Sequence, residues 1–361
     1  MEKTGRAEMD LIPLRHKIDV IDSQIVRLLN DRAAVSREVG KAKRQSRKGV
    51  YAPDRERQVL DRIKALNKGP MPDNAFEAVY REVMSASIAL EKPLAIAHLG
   101  AEGSNSYAAA VHKFGAMVKY CGQASIADVF QSVEKGECDY GIVPIENSVE
   151  GSVTPTADCL TDSDLQVCAQ VTIRIAHDLL SNAPFEKIRK VYSNPQVLSQ
   201  CRQWLLANMP PERVTQMSVA ATTDAAKIAA GEKGAAALAS AACGRIYGLE
   251  TLRANVQDIA HNATRFFVIG RQSVSATRKD KTSIVFSIKD KAGVLYKMLE
   301  PFAKNGINLT RIESRPIKKK AWDYYFFVDF EGHKDDVKVQ KALAKLEGMC
   351  KFLKILGSYP A

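Results

Sequence analysis

The chain has 361 residues, of which 46% are hydrophobic and 26% charged, and it carries a formal net charge of +11 at neutral pH; single cores stop growing near roughly 250 to 300 residues, so two or three domains are expected. No apolar run approaches the roughly 20 residues that span a bilayer. The first ten residues are charged rather than signal-like, and the seven cysteines, without a Cys-x-x-Cys pair, fit reduced thiols, so a cytoplasmic protein is expected, without a disulfide framework or a zinc site. A helix is expected from about Leu11 to Lys48, with Gly40 as its glycine. Leu14, Ile18, Ile21, Ile25, Leu28, Arg32, Val35, Val39 and Ala42 follow one another at alternating steps of four and three, a seven-residue apolar seam broken only by Arg32. A helix this long cannot bury such a seam alone, and its simplest partner is the same helix of a second chain. An arginine on an apolar seam is either a snorkelling residue that sets register or the counter-charge of a buried anion. Arg32 and Lys43, 11 residues apart, share a face, whereas Arg15 lies 17 residues before Arg32 and points elsewhere. If all three meet one ligand, Arg15 comes from the partner chain. Tyr51-Ala52-Pro53-Asp54-Arg55-Glu56-Arg57 opens a second helix with proline in its first turn. A third, from about Asn74 to Glu91, sets Ser87 and Glu91 on one face.

Leu14-Arg15-x-x-Ile18-Asp19-x-x-Asp22, Arg32 with Val39-Gly40-Lys41-Ala42-Lys43, and Arg55-Glu56-Arg57 resemble the small all-helical chorismate mutases, intertwined dimers whose long first helix crosses its twin. The resemblance implies that Arg15, Arg32, Lys43 and Arg55 hold a dicarboxylate, that Glu56 meets a substrate hydroxyl, and that Ser87 and Glu91 supply the remaining contacts. Chorismate rearranges in one pericyclic step, so a protein needs only to hold the compact conformer and stabilise charge on the breaking ether oxygen. Two positions depart from the family. Ala52 stands where some members carry an acid, and Glu91 where the best-known bacterial members carry glutamine, which donates a hydrogen bond at any pH while glutamate must be protonated to do so.

After Lys92-Pro93 the pattern becomes short apolar strands alternating with helices, among them strands at Leu94–His98, Tyr140–Val143, Leu165–Val171, Ile188–Tyr192 and Arg265–Gly270. This reads as α/β with largely parallel pairing. Asp139 to Gly151 is the pivotal stretch: a β-branched run stops at Pro144 and presents Glu146, Asn147 and Ser148 past a strand's C-terminal end, the edge where open α/β sheets bind ligands. That stretch, Tyr192-Ser193-Asn194-Pro195-Gln196 with Gln200, and Asn262-Ala263-Thr264-Arg265-Phe266-Phe267 resemble the signature blocks of prephenate dehydratase in order and spacing. Two lobes around a cleft, like those of periplasmic small-molecule binding proteins, are implied. So are site roles for Glu146, Asn147, Ser193, Gln200, Thr222, Thr264 and Arg265, with Thr264 polarising the leaving hydroxyl and Arg265 clamping a carboxylate. Gly100 to Ser106 sits where an anion cradle would, in a form degraded from the family's pattern, and Ala221 replaces the usual serine.

Arg271 to Lys281 is polar and reads as a linker; beyond it the order is strand, helix, strand, strand, helix, strand. Lys291-Ala292-Gly293-Val294-Leu295 and Asn308-Leu309-Thr310-x-Ile312-Glu313-Ser314-Arg315-Pro316 resemble the ligand-binding motifs of the ACT regulatory domain. Gly293, Val294, Leu295, Asn308, Leu309, Thr310, Glu313, Ser314, Arg315 and Pro316 are the implied effector contacts, with Gly293 allowing close backbone approach at a helix N-terminus.

The resemblances together imply a multidomain chain: an all-α intertwined-dimer mutase over 1–92, a two-lobed α/β dehydratase over 93–272, a linker over 273–281 and an α+β (βαββαβ) ACT domain over 282–361. Expected with it are chorismate and prephenate as substrates, phenylalanine as effector, at least a homodimer, no membrane, and no metal, nucleotide or redox cofactor. One rival is a binding protein that senses small molecules without turnover. Another, a nucleic-acid regulator, rests on the basic ends, with 19 basic against 14 acidic side chains over 1–92 and 18 against 10 over 278–361. The first of those segments is interleaved with acids and lacks stacking aromatics, so small anionic ligands account for its charge at least as well.

Overall fold

The computed structural model describes residues 2–45, 51–288, 292–317 and 324–361, with side chains of the first segment described over 11–42. Helix α1 (Glu2–Gln45) is one 44-residue rod that starts earlier than expected and contains Pro13. Its contact with α3 (Asp73–Glu91) runs along Arg32, Ala33, Ser36 and Gly40, which are half-buried or buried. A Cβ on Gly40 would lie 2.6 Å from Glu91 Cγ, so a glycine is what lets the two helices close. Apart from Arg32, the seven-residue seam lies on the adjacent face, with Val35 and Val39 at the edge of the α1–α3 groove. Leu14, Ile18, Ile21, Ile25, Leu28, Val35 and Val39 are each between 46% and 59% exposed. Between α1 and α3, α2 (Pro53–Leu66) begins on proline, as expected.

The first lobe of the central domain holds β1 (Ala95–Leu99), α4 (Asn105–Phe114), β2 (Lys119–Gln123), α5 (Ile126–Glu134), β3 (Tyr140–Asn147), β4 (Gly151–Ser152), α6 (Thr154–Asp162) and β5 (Gln166–Arg174). The second holds β6 (Asp178–Ser181), β7 (Lys190–Ser193), α7 (Pro195–Gln200), α8 (Arg202–Asn208), β8 (Thr215–Ser218), α9 (Thr222–Gly231), β9 (Ala235–Ala239), α10 (Ala241–Tyr247) and β10 (Glu250–Arg253). The chain then returns to the first lobe as β11 (Ala263–Gly270). The sheets run β2-β1-β3-β11-β5, with β4 beside β3, and β10-β6-β9-β7-β8. Among the described residues, pairing is parallel only within β1–β2–β3 and β7–β8–β9. The expectation of largely parallel pairing is therefore corrected. β11 runs antiparallel to both β3 and β5 because it comes straight back from the second lobe without a crossover helix.

The C-terminal domain is β12 (Asp280–Ser287), α11 (Val294–Lys304), β13 (Leu309–Pro316), β14 (Tyr324–Glu331), α12 (Val337–Glu347) and β15 (Phe352–Pro360), the expected order, in an antiparallel sheet β13-β14-β12-β15. Its first strand takes in the last two residues of the expected linker, and Val274 is buried.

The central sheet buries both faces. Ala97, Val143, Ile145, Phe267 and Ile269 face one core, which also contains Val285, Phe327, Leu356 and Tyr359 of the C-terminal domain. Ile96, Tyr140, Ile142, Phe266 and Val268 face the other, which takes in Tyr51 from the helical domain. The Tyr51 ring packs 4.9 Å from Phe114 and 5.1 Å from Tyr140. Burying such a ring contributes up to about 4 to 6 kcal/mol. At the opposite face, a Cβ on Gly357 would lie 2.2 Å from the Val167 carbonyl oxygen, so β15 docks on β5 at backbone contact. Arg57 of α2 donates to the Ala361 carbonyl at 3.2 Å, joining the two flanking domains as well.

Candidate functional sites

Two cavities collect the polar residues. The first, of about 460 Å³, is lined by Arg32, Arg55, Glu56, Ser87 and Glu91, with Tyr51, Arg81 and, from α4, Lys113 and Phe114. Arg32 donates to Ser87 Oγ at 2.6 Å, and that hydroxyl donates to the Val83 carbonyl at 2.7 Å, which fixes the guanidinium over the pocket. Glu56 Oε2 accepts from Tyr51 at 3.1 Å and pairs with Lys113 Nζ at 2.9 Å. Burial first, then the neighbouring Glu56 carboxylate, push the Tyr51 phenol well above its ordinary range, so it stays a neutral donor. Arg15 is exposed, and at 17 residues from Arg32 it stands roughly 25 Å along the rod, outside this cavity. The Lys43 side chain lies outside the described residues.

The second cavity, of about 590 Å³, lies between the lobes and is lined by Asn147, Glu150, His177, Gln196, Gln200, Thr222, Asn262 and Thr264, with Gly100 and Ser104–Ser106 at one rim. Its hydrogen bonds determine their own polarity. Asn147 Oδ1 accepts from the backbone of Val149 at 2.9 Å and of Glu150 at 3.1 Å, so its Nδ2 must be the atom that donates to Thr264 Oγ1 and Asn262 Oδ1, both at 2.8 Å. Thr264 accepts there, and its own proton is left to face a ligand. Gln200 Nε2 donates to Glu150 at 2.7 Å, with Gln196 donating to the other carboxylate oxygen, and these bonds tie the two lobes together. Gln200 Oε1 then accepts from His177 Nε2 at 2.8 Å, which fixes that tautomer. Burial lowers the His177 pKa, against the opposing pull of Gln200, Asp178 and Glu150, and keeps the ring neutral near neutral pH.

Three expected cleft residues are elsewhere. Ser193 is fully buried and donates to the Leu238 carbonyl at 2.7 Å, so its hydroxyl serves the second-lobe sheet. Glu146 and Arg265 are turned to the opposite face of the first-lobe sheet. For Arg265 this follows from regular alternation on β11, where Thr264 and Phe266 take the cleft side; for Glu146 the cause is a bulge, in which Phe266 pairs with Pro144 and Arg265 with Glu146, leaving Ile145 as the extra residue, after which Asn147 faces the cleft and Glu146 does not. Arg265 binds Asp329 of β14 at 2.7 Å and Glu146 at 3.1 Å. Burial works against its charge, but Asp329, Tyr359 and Glu146 together outweigh that and raise its pKa. Glu150, His177 and Asn262 were not singled out from the sequence as site residues. Glu150 and Asn262 lie inside the motif blocks that were, whereas His177, just past β5, has no local pattern to announce it.

Of the expected effector residues, Gly293 takes φ +74° as the cap of α11, with Val294 and Leu295 in its first turn; Lys291 lies outside the described residues. Asn308 precedes β13, which Leu309 and Thr310 open and whose side chains alternate between two faces. Arg311, Glu313 and Arg315 turn to the central domain, where Glu313 accepts from Ser152 and Arg315 pairs with Asp158 at 2.8 Å. Thr310, Ser314 and Pro316 stay exposed.

Residues 14–92 match the chorismate mutase type II family, 96–274 the prephenate dehydratase family and 282–348 the ACT domain family. The chain is 44% identical over 356 residues to the bifunctional chorismate mutase/prephenate dehydratase of Aquifex aeolicus, covering 97% of this chain and 98% of that protein. The protein of the same name from Neisseria gonorrhoeae is 41% identical over 354 residues, with 97% of each covered. Among solved structures, the prephenate dehydratase from Arthrobacter aurescens in complex with L-Phe superposes with a TM-score of 0.68 at 29% identity, covering 74% of this chain and 90% of that one. Among the described residues, no helix is long and apolar enough to cross a membrane.

The position of Arg265 is testable by stability. Arg265→Ala strands the Asp329 carboxylate, which is 2% exposed, and is expected to cost about 3 to 5 kcal/mol in urea denaturation. Parent stability together with weakened binding of anions in the cleft would return Arg265 to the role of a clamp.

Proposed function

This chain belongs to the bifunctional chorismate mutase/prephenate dehydratase family, and from that premise we propose that its two cavities divide the work. The helical pocket rearranges chorismate to prephenate. The interlobe cleft converts prephenate to phenylpyruvate, with loss of carbon dioxide and the ring hydroxyl, in phenylalanine biosynthesis under feedback by phenylalanine. The supporting observation is that Arg32, Arg55, Glu56, Ser87 and Glu91 converge on one cavity while Asn147, Gln200, Thr222 and Thr264 converge on another.

In the first, the cations hold the two carboxylates and Glu56 the hydroxyl, which confines chorismate to the compact conformer; Glu91, when protonated, donates to the ether oxygen. In the second, the Thr264 proton points at the departing hydroxyl, because Asn147 already occupies a lone pair of its oxygen. The hydroxyl leaves as the carboxylate's C–C bonding pair moves into the ring, giving carbon dioxide, water after proton uptake, and the aromatic product. Feedback has a physical route. Thr264 and Asn147 face the cleft, while their neighbours Arg265 and Glu146 face Asp329 and Arg311 of the ACT domain, so a shift of β13 or β14 pulls on the strands that carry the site. Couplings of this kind are typically about 1 to 3 kcal/mol.

The exposed seam of α1 is assigned to a second copy of the chain, whose Arg15 would complete each mutase pocket. The seam repeats every seven residues over the span that a partner helix needs, and Arg15 is too far along the rod to serve its own pocket.

Incubating the protein with chorismate should yield phenylpyruvate, and added phenylalanine should suppress it. Thr264→Val should lower dehydratase kcat about 100-fold and leave prephenate to accumulate; equal phenylpyruvate formation by this variant would remove Thr264 from the mechanism. Mixing Arg15→Ala and Arg32→Ala proteins under demonstrated subunit exchange should restore part of the mutase activity that each lacks. No recovery would place both arginines in one chain's site or Arg15 outside catalysis.

A further inference from the structure

Helix α4 belongs to the dehydratase segment by sequence, yet its two ends open on different cavities. Ser104 to Ser106 lie on the interlobe cleft, while Lys113 and Phe114 lie on the helical pocket, roughly 13 Å further along. Lys113 is the notable end. Its side chain is 19% exposed and that of Glu56 16%, and the ammonium meets Glu56 Oε2 at 2.9 Å. Tyr51 donates to the same oxygen, and the Lys113 ammonium lies 5.9 Å from the Tyr51 ring centroid. Two donors converge on Oε2, so these bonds leave Oε1 as the acceptor for a ligand. The backbone around this contact is closely fitted. Gly115 takes φ +74° with its Cβ position 2.6 Å from Ser85 Cβ, and the amides of Ala116 and Met117 donate to Glu82 at 2.9 Å and Ser85 at 3.1 Å. The end of α4 is therefore held on α3 by contacts independent of Lys113.

We propose that Lys113 is a positioning residue of the mutase site, supplied by the dehydratase segment: with Tyr51 it fixes the Glu56 carboxylate so that Oε1 receives the hydroxyl of chorismate. The proposal rests on the assignment of the helical pocket to chorismate. A carboxylate beside two substrate carboxylates is otherwise driven away from them or protonated, and a half-buried ammonium on its far oxygen counters both. The mutase pocket is then completed by residues beyond the helical domain.

The test uses the full-length chain. Lys113→Met keeps the apolar stem and removes the charge; it is expected to lower mutase kcat/KM roughly 10- to 100-fold, the span of one charge-assisted hydrogen bond, while Lys113→Arg retains most of the activity. In a Glu56→Gln background the same Lys113→Met change should alter mutase kcat/KM less than twofold, because its target is gone. Turnover of added prephenate reports that each variant is folded. Parent-like mutase kcat/KM in Lys113→Met would overturn the proposal, and so would an equal loss in both Glu56 backgrounds, which marks a domain staple. A parent that turns over prephenate but not chorismate would overturn the pocket's assignment, and the proposal with it.

Discussion

The structure depends on one constraint: the central sheet of the first lobe has no solvent-facing side along its middle strands. Alternate residues of β1, β3 and β11 feed two separate cores, one finished by the C-terminal domain and the other by Tyr51 of the helical domain. Removing the C-terminal domain would bare apolar side chains of the first core, at a cost that follows the apolar area exposed; the second core is covered chiefly by α4, with Tyr51 added at its edge. The C-terminal domain is thus part of the folding unit of the domain that carries the cleft, and Gly357 marks where two backbones had to approach closely for this to hold.

The same two-sidedness connects packing to chemistry. Successive residues on β11, Thr264 and Arg265, serve the cleft and the regulatory domain respectively, and Asn147 and Glu146 on β3 do likewise. On the proposed reading, a residue that senses the effector's domain is covalently next to one that meets prephenate. The arrangement at the helical pocket is parallel. Tyr51 is anchored in the sheet's other core and its hydroxyl reaches Glu56, so the pocket's geometry is tied to the same sheet.

Much of this was legible in the chain. The seven-residue seam of α1, the proline that opens α2 and the βαββαβ order of the C-terminal domain follow from periodicity and turn residues, and the motif blocks located both cavities. What could not be read was which way individual side chains turn. Period-two alternation along β3 fails at Ile145, because a bulge adds one residue and sends Glu146 away from the cleft. Arg265 was given the role of a ligand clamp by the family resemblance, but its partner Asp329 is 64 positions away and only tertiary packing brings them together. Ser193 was claimed by a carbonyl across the sheet, and Lys113 and His177 enter their cavities from helices and loops whose own sequence carries no signal.

The claim that the C-terminal domain and the central sheet form one folding unit is tested most directly by differential scanning calorimetry of the full-length chain. The shared cores require the dehydratase and ACT segments to melt in a single heat-absorption peak. A separate, earlier transition with the enthalpy of an isolated domain of about 80 residues, roughly 50 to 60 kcal/mol, would contradict it.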